Sequence, residues 1–431
     1  MAAPRGTEAA TKGNDMTTAI VDVRIFDGHQ VLDANTVVLD GTIITAVGGR
    51  PPAGAKIVDA AGATLLPGLF DAHVHTSKQS LALALRFGVT THLEMQGTHT
   101  RNNRTHIEDD DTLADVRSSG FGITPPGGHP SELFPPNFRP GPPPGARPAA
   151  GPPQAPPVMP FSTTPQEAVA FIPQLIDTGS DYIKFMVDDG SVEGHPGLPM
   201  LDQATLNAGV TEAHRRGMLT VAHTLTVDAT RMAIDAGIGG LVHLFMDRPH
   251  TPEIIEQIAA SGAFVVPCVV LDASMMGITG AELADDPRVS SRLDEAWRET
   301  LRSSFNHYPQ GNIHDVLASV KALHDAGVDI LVGTDTSVPF PFLGGVAHGA
   351  SVHQELQYFV DAGISPTKAL SAATAVTARR FGLSDRGTIA VGQRADLLLV
   401  DGDTTTTIGD TLNTRAVWRR GTPLADAAIR P

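Results

Sequence analysis

Cysteine is almost missing from this chain of 431 residues. The single one, Cys268, cannot form an internal disulfide, and this predicts a reducing compartment. Positive charge is also short. Lys plus Arg total 31 against 47 Asp plus Glu, a formal net charge of −16. A general nucleic-acid or anionic-membrane binder needs the opposite sign, so neither partner is expected. No apolar run approaches the roughly 20 residues of a membrane span. The opening M-A-A-P-R-G-T-E-A-A-T-K-G-N-D lacks the apolar stretch of a secretory signal. Together these absences predict a soluble, cytoplasmic protein. What is present is 41% hydrophobic residues, enough for a sizeable core and incompatible with global disorder.

The texture changes along the chain. Residues 1–15 read as a disordered tail. Residues 16–66 alternate apolar and polar positions and break at Asp-Gly turns, as in T-A-I-V-D-V-R-I-F-D-G, which is a β pattern. Residues 384–431 share it, with G-T-I-A-V-G-Q-R-A-D-L-L-L-V-D-G and T-R-A-V-W-R-R-G. Two β-rich pieces at opposite ends can pair into one small β-sandwich domain, since termini often lie close together. Between them, over 67–383, short buried-type strands alternate with amphipathic helical stretches. That is the pattern of βα units on a parallel sheet. Eight candidate strands end near 71–75, 91–95, 122–125, 182–186, 219–223, 240–244, 263–267 and 330–335. Eight units predict an α/β fold closed as a (β/α)8 TIM barrel. Residues 125–160 hold 15 of the 33 prolines, which favours polyproline II or loop. The segment reads either as a surface insertion or as a stiff lid, because it follows the third strand on the face where barrel active sites sit. As a lid, its Phe134 and Phe138 would touch substrate.

His73 and His75 stand at i and i+2, so a strand turns both side chains to one face. With 17 histidines in the chain that spacing alone is weak, but its position is informative. Lys184, His223, His243 and Asp335 occupy the corresponding ends of the fourth, fifth, sixth and eighth strands, and a barrel brings these ends together. Imidazole and carboxylate donors suit zinc and its neighbours. Cys268, in the apolar run V-V-P-C-V-V, reads as a buried, inert thiol. His353, on a helical pattern, reads as a packing contact.

The chain resembles the amidohydrolase superfamily, in its branch of imidazolonepropionase-like and prolidase-type proteins with a binuclear metal centre. The resemblance spans about residues 17–425. It is carried by L-L-P-G-L-F-D-A-H-V-H-T, G-V-T-T, G-G-H, D-Y-I-K, V-A-H, V-H, G-T-D, H-Q-E-L, S-P-T-K-A-L-S-A-A-T and D-R-G-T-I-A-V-G-Q-R-A-D-L-L-L-V-D-G. It implies that His73 and His75 bind one divalent metal, that His223 and His243 bind a second, and that Asp335 is both ligand and proton shuttle. It further implies that Lys184 is an N6-carboxylysine bridging two metals, with zinc the expected ion, and that His129 lies near the substrate. Homo-oligomers are common among such barrels. The implied reaction is attack of a metal-bridging hydroxide on an amide-type C–N bond, in an N-acyl or N-aryl amide, carbamate, urea or lactam.

Three alternatives remain at this level. One is an Xaa-Pro or similar dipeptidase. Prolidase-type relatives often carry His-Ala-Tyr after the fifth strand, where this chain has His223-Thr224-Leu225. Leu225, a candidate substrate neighbour, cannot donate a hydrogen bond to a free carboxylate, which argues against a dipeptide and for a hydrophobic substrate. Another is ring opening of a cyclic amide or lactone, as in imidazolonepropionase; that chemistry resembles a single-metal site without the bridging lysine, so Lys184 argues against it. The last is a catalytically silent binding barrel, which would be expected to lack some of the six ligand-type residues.

Overall fold

The computed structural model describes residues 17–133 and 159–425. Phe134, Phe138 and most of the proline-rich segment lie outside the described residues. Two parallel sheets form the centre. One contains Leu69–Val74, Val89–Glu94 and Asp115–Ser118; the other contains Ile183–Met186, Thr220–His223, Gly240–Val242 and Phe264–Val266. Every residue of these strands except Arg117 is buried. Burial on both faces explains why they read as continuous apolar runs rather than alternating ones.

Isolated bridges link the two sheets. Ile123 bridges to Phe185, Ile330 to Val265, and Thr336 to Val74, all parallel. The Ala72 amide also donates to the Val332 carbonyl at 2.8 Å. The sequence predicted eight strands in a closed ring. Among the described residues no continuous ladder closes it, and the segments 122–125 and 330–335 contribute bridges instead of strands. The third strand lies upstream of its predicted place, at Asp115–Ser118. Pro125 has no N–H to give a ladder. In the last segment, Asp335 has φ 53°, outside any strand conformation.

Helices cover the sheets where the pattern predicted them, among them Pro165–Asp177, Gln203–Arg215 and Val227–Asp235. Their starts are written locally. Thr164 and Glu167 form a capping box with Pro165 next to the cap, while Asp202 and Thr226 accept from Thr205 and Ala229 amides. No helix among the described residues is long and apolar enough to cross a membrane.

The two β-rich regions contribute to one sheet. Leu397–Val400 pairs antiparallel with Thr64–Pro67 on one side and with Thr414–Arg419 on the other. That sheet shares an apolar core with the sheet of Thr18–Val21, Thr36–Asp40, Ile43–Val47 and Lys56–Asp59: Ile20, Val37, Leu39 and Ile44 pack with Leu65, Leu397, Leu399 and Trp418. Asp115, 2% exposed, ties this region to the parallel sheets. It pairs with Arg117 at 3.0 Å, Arg394 at 3.2 Å and Arg386. Burial alone would raise the Asp115 pKa, but Arg117, Arg386, Arg419 and Arg394 outweigh it and hold the carboxyl well below its ordinary value.

Asp115→Asn should therefore cost about 3–5 kcal/mol, because it leaves buried guanidiniums without their partner. A carboxyl with a depressed folded pKa stabilises fully above its ordinary pKa of about 4 and loses this as pH falls further. Urea unfolding of both proteins should show a large gap at pH 7 that narrows below about pH 4. Equal stability at pH 7 would remove the cluster from the ledger of stabilising contacts.

Candidate metal centre

Asp335 is the meeting point of the predicted ligands. Its Oδ1 lies 3.1 Å from His73 Nε2 and 2.9 Å from His75 Nε2, and its Oδ2 lies 3.9 Å from His243 Nε2. Lys184 Nζ is 3.4 Å from His73 Nε2. The His223 ring stands edge-on to His243, centroids 4.6 Å apart. All six candidate ligands named from the sequence thus face one small region.

The turns that bring them there are tight. The backbone passes through positive φ at Asp335 (53°) and His243 (147°), conformations that side-chain-bearing residues hold only when their surroundings enforce them. Gly333 lets the last segment approach: a Cβ there would sit 2.4 Å from Val266 Cγ1 and 2.9 Å from the His73 nitrogen. Asp71, fully buried, accepts from the Thr334 amide at 3.0 Å and from its hydroxyl at 2.6 Å, which locks the Asp335 turn to the His73 strand.

The protonation pattern fits a cation. His75 Nδ1 meets the Gln96 carbonyl at 3.0 Å, and a carbonyl only accepts, so Nδ1 carries the proton. Nε2, the nitrogen left free to bind a cation, then faces Asp335 Oδ1 at 2.9 Å. Both ring nitrogens of His243 are buried without a hydrogen-bond partner among the described residues. Burial also strips protons from the imidazoles: it brings His73 to about 4 and His243 and His223 well below their ordinary value. Neutral imidazoles around a carboxylate are the donor set of a divalent metal. His73, His75 and Asp335 form one group close enough to share an ion.

Three neighbours escaped the sequence reading, and a fourth, Cys268, was read only as an inert thiol. Cys268 Sγ lies 3.6 Å from His73 Nδ1 and groups with His73 and His243; it is buried, as expected, but not remote from the centre. Asp188 accepts at 3.2 Å from His223 Nε2. Glu132 lies 2.5 Å from His129 Nδ1, and the His129 ring stacks on His223 with centroids 4.1 Å apart. Glu193 groups with His129 and His223. Asp188 and Glu193 sit in D-D-G-S-V-E-G-H, where a run of acids after the lysine strand was the available signal; Glu132, in P-S-E-L, carried no such signal. Leu225 is fully buried in the apolar core and presents no surface to the site.

The sequence profile of the amidohydrolase family matches residues 64–424. The allantoinase of Solibacter usitatus (strain Ellin6076) is 24% identical over 414 residues, which covers 86% of this chain and 82% of that protein. The enamidase of Eubacterium barkeri is 37% identical over 83 residues, but the match spans 16% of this chain and only 22% of the relative. Among solved structures, a Xaa-Pro dipeptidase with bound methionine in the active site superimposes with a TM-score of 0.70 at 23% identity, covering 95% of this chain and 99% of that one. The likeness shows a TIM-barrel-type fold with α/β content.

If Asp188 fixes the His223 ring for a metal, Asp188→Asn should weaken metal retention about 10–100-fold. Competition of the protein with a chromogenic chelator measures this. Unchanged retention would make the Asp188–His223 contact a packing detail.

Proposed function

Because the chain belongs to the amidohydrolase family, we propose that it is a metal-dependent hydrolase cleaving an amide-type C–N bond of a small substrate. The candidate bonds are those of an N-acyl or N-aryl amide, a carbamate, a urea or a lactam. The observation that carries the reading is the Asp335 carboxylate facing His73 and His75 at 3.1 and 2.9 Å, three groups close enough to share one ion. His73, His75, Lys184, His223, His243 and Asp335 would hold two divalent ions, zinc being the ion these donors suit. Bound there, the ions would supply a water of lowered pKa and polarise a carbonyl oxygen.

The chain's own residues have the remaining tasks. Burial lowers the Lys184 pKa to about 8, so about a tenth of its amine is neutral at pH 7. That amine can bond to CO2, releasing a proton and becoming the carbamate of N6-carboxylysine, which has two oxygens to offer. Asp335 takes the proton of the attacking water and passes it to the leaving nitrogen. His129, 6% exposed, is braced by Glu132, which helps raise its pKa against the opposing effect of burial. It can present an N–H from Nε2 to the substrate carbonyl oxygen. Met159, Phe161 and Phe342 are exposed apolar side chains, on the segment returning from the proline-rich insertion and on the loop after Asp335; they support a substrate with an apolar part.

The same reading includes a closed (β/α)8 barrel over 67–383 and a β-sandwich from 16–66 and 384–431, supported by the linking bridges and the shared terminal core. It also carries a cytoplasmic location, for which the single cysteine is the support, and a homo-oligomer, for which the support is the resemblance to barrels that associate.

Asp335→Asn keeps the shape but cannot accept the proton, and should lower turnover about 10²-fold or more. Lys184→Ala should lose most activity and regain part of it in short carboxylic acids, which stand in for the carbamate. Steady-state kinetics on an anilide panel measures both. Near-normal turnover of metal-loaded Asp335→Asn would remove that residue from the proton path.

A further inference from the structure

Two buried histidines have no task in the reaction. His92, on the strand Val89–Glu94, and His348 are both fully buried. Their rings stack with centroids 5.5 Å apart and planes 27° from parallel. Each ring makes one hydrogen bond. His348 Nε2 donates to the Ser337 carbonyl at 2.8 Å, since a carbonyl only accepts. Thr76 gives its hydroxyl proton to the Ser77 carbonyl at 3.4 Å, so the hydroxyl oxygen accepts from His92 Nδ1 at 3.1 Å. The second nitrogen of each ring, His348 Nδ1 and His92 Nε2, has no hydrogen-bond partner among the described residues. Burial brings the His348 pKa to about 4 and holds that of His92 well below its ordinary value, so two neutral rings stack without repulsion.

Both acceptors belong to segments that carry donors of the candidate metal centre. Thr76 follows His75 directly, and Ser337 lies two residues beyond Asp335. These segments already touch in the backbone: the His75 amide donates to the Thr336 carbonyl at 2.9 Å, and Thr336 bridges to Val74 in parallel. The stacked rings tie the same two segments through side chains. His348 is itself held in place by Gly349, which precedes the helix Ala350–Asp361 and has φ 75°. A Cβ at 349 would lie 2.9 Å from both Ala84 Cα and Phe87 Cβ, so only glycine lets this helix start so close to the Lys78–Arg86 helix. Burying an imidazole with one bare nitrogen costs desolvation that a hydrocarbon ring would not. What each imidazole adds over a hydrocarbon is its single donor.

We propose that His348 and His92 are positioning residues, a stacked pair that holds the Asp335 and His75 segments in the register that sets their 2.9 Å separation. His348 steers Ser337 and with it the Asp335 turn. His92 steers Thr76 and with it His75, and the stack couples the two. This rests on the metal-centre reading of the same site.

The test uses the two amide side chains, because glutamine places its N–H donor where Nε2 stands and asparagine where Nδ1 stands. Metal retention by the full chain is measured against a chromogenic chelator, and the visible spectrum of the cobalt-loaded protein reports donor geometry. His348→Asn should weaken retention about 10–100-fold and alter the cobalt spectrum, and His348→Gln should restore most of both. At the other ring the order should reverse: His92→Asn keeps the metal and His92→Gln loses it. His353 supplies the control. It lies on the Ala350–Asp361 helix and makes the same kind of bond, from Nε2 to the Phe87 carbonyl at 2.9 Å, on a segment that carries no metal donor. His353→Asn should lower the melting temperature and leave retention and spectrum unchanged. Retention equal in His348→Asn and His353→Asn, or equal in the Asn and Gln variants of each stacked histidine, overturns the proposal. Should His348→Asn fail to fold, the two His92 variants decide. Wild-type protein that binds no metal would overturn the metal centre and the positioning pair with it. Metal held with the predicted variant pattern, but no hydrolysis of any amide, would strike the hydrolase reading and leave the pair.

Discussion

Asp335 gathers the site: its carboxylate stands 2.9 Å from His75 Nε2, 3.1 Å from His73 Nε2 and 3.9 Å from His243 Nε2. The Gln96 carbonyl fixes the His75 proton on the far nitrogen, and burial keeps His73, His223 and His243 neutral. Most of the site depends on this one convergence. Imidazoles and a carboxylate so placed are a donor set that could hold a divalent cation. The backbone is bent to maintain it. Asp335 and His243 hold positive φ, and each such residue costs about 1–3 kcal/mol.

The supporting parts follow from that constraint. Asp71 clamps the Thr334 turn to the His73 strand. Gly333 is required because any side chain would strike Val266 and the His73 backbone. Asp188 and Cys268 lie against the outer nitrogens of His223 and His73, the positions from which a neighbouring atom orients a ligand ring. At the opposite end of the sequence order, the Arg386 and Arg394 pairs with Asp115 bind the terminal sheets to the parallel ones. The sheets thus hold strand ends in place, and the strand ends hold the donors.

The sequence disclosed the donors more readily than their surroundings. Strands that are buried on both faces carry an apolar run, and a His, Lys or Asp at the end of such a run stands out. His73, His75, Lys184, His223, His243 and Asp335 could be named as candidates for that reason, and the fold brings them to one region. The family resemblance drawn from D-A-H-V-H and G-T-D also held, since the amidohydrolase profile covers 64–424. His353 was legible as packing, and its Nε2 meets the Phe87 carbonyl at 2.9 Å. The third strand was misplaced because Asp115–Ser118, with Arg117 inside it, hides its burial behind charge. The buried acids were missed for a related reason: Asp188 and Glu193 look in sequence like solvated loop residues, and only the fold turns them inward.

Metal content tests the central claim most directly. Protein stripped with a chelator, reloaded with zinc and desalted should retain two ions per chain by elemental analysis. His73→Ala with His75→Ala should lose at least one of them, and reloading should raise the melting temperature of the wild type. Retention of no zinc by correctly folded wild-type protein, or retention unaffected by removing both histidines, would contradict the claim that these strand ends exist to hold a cation.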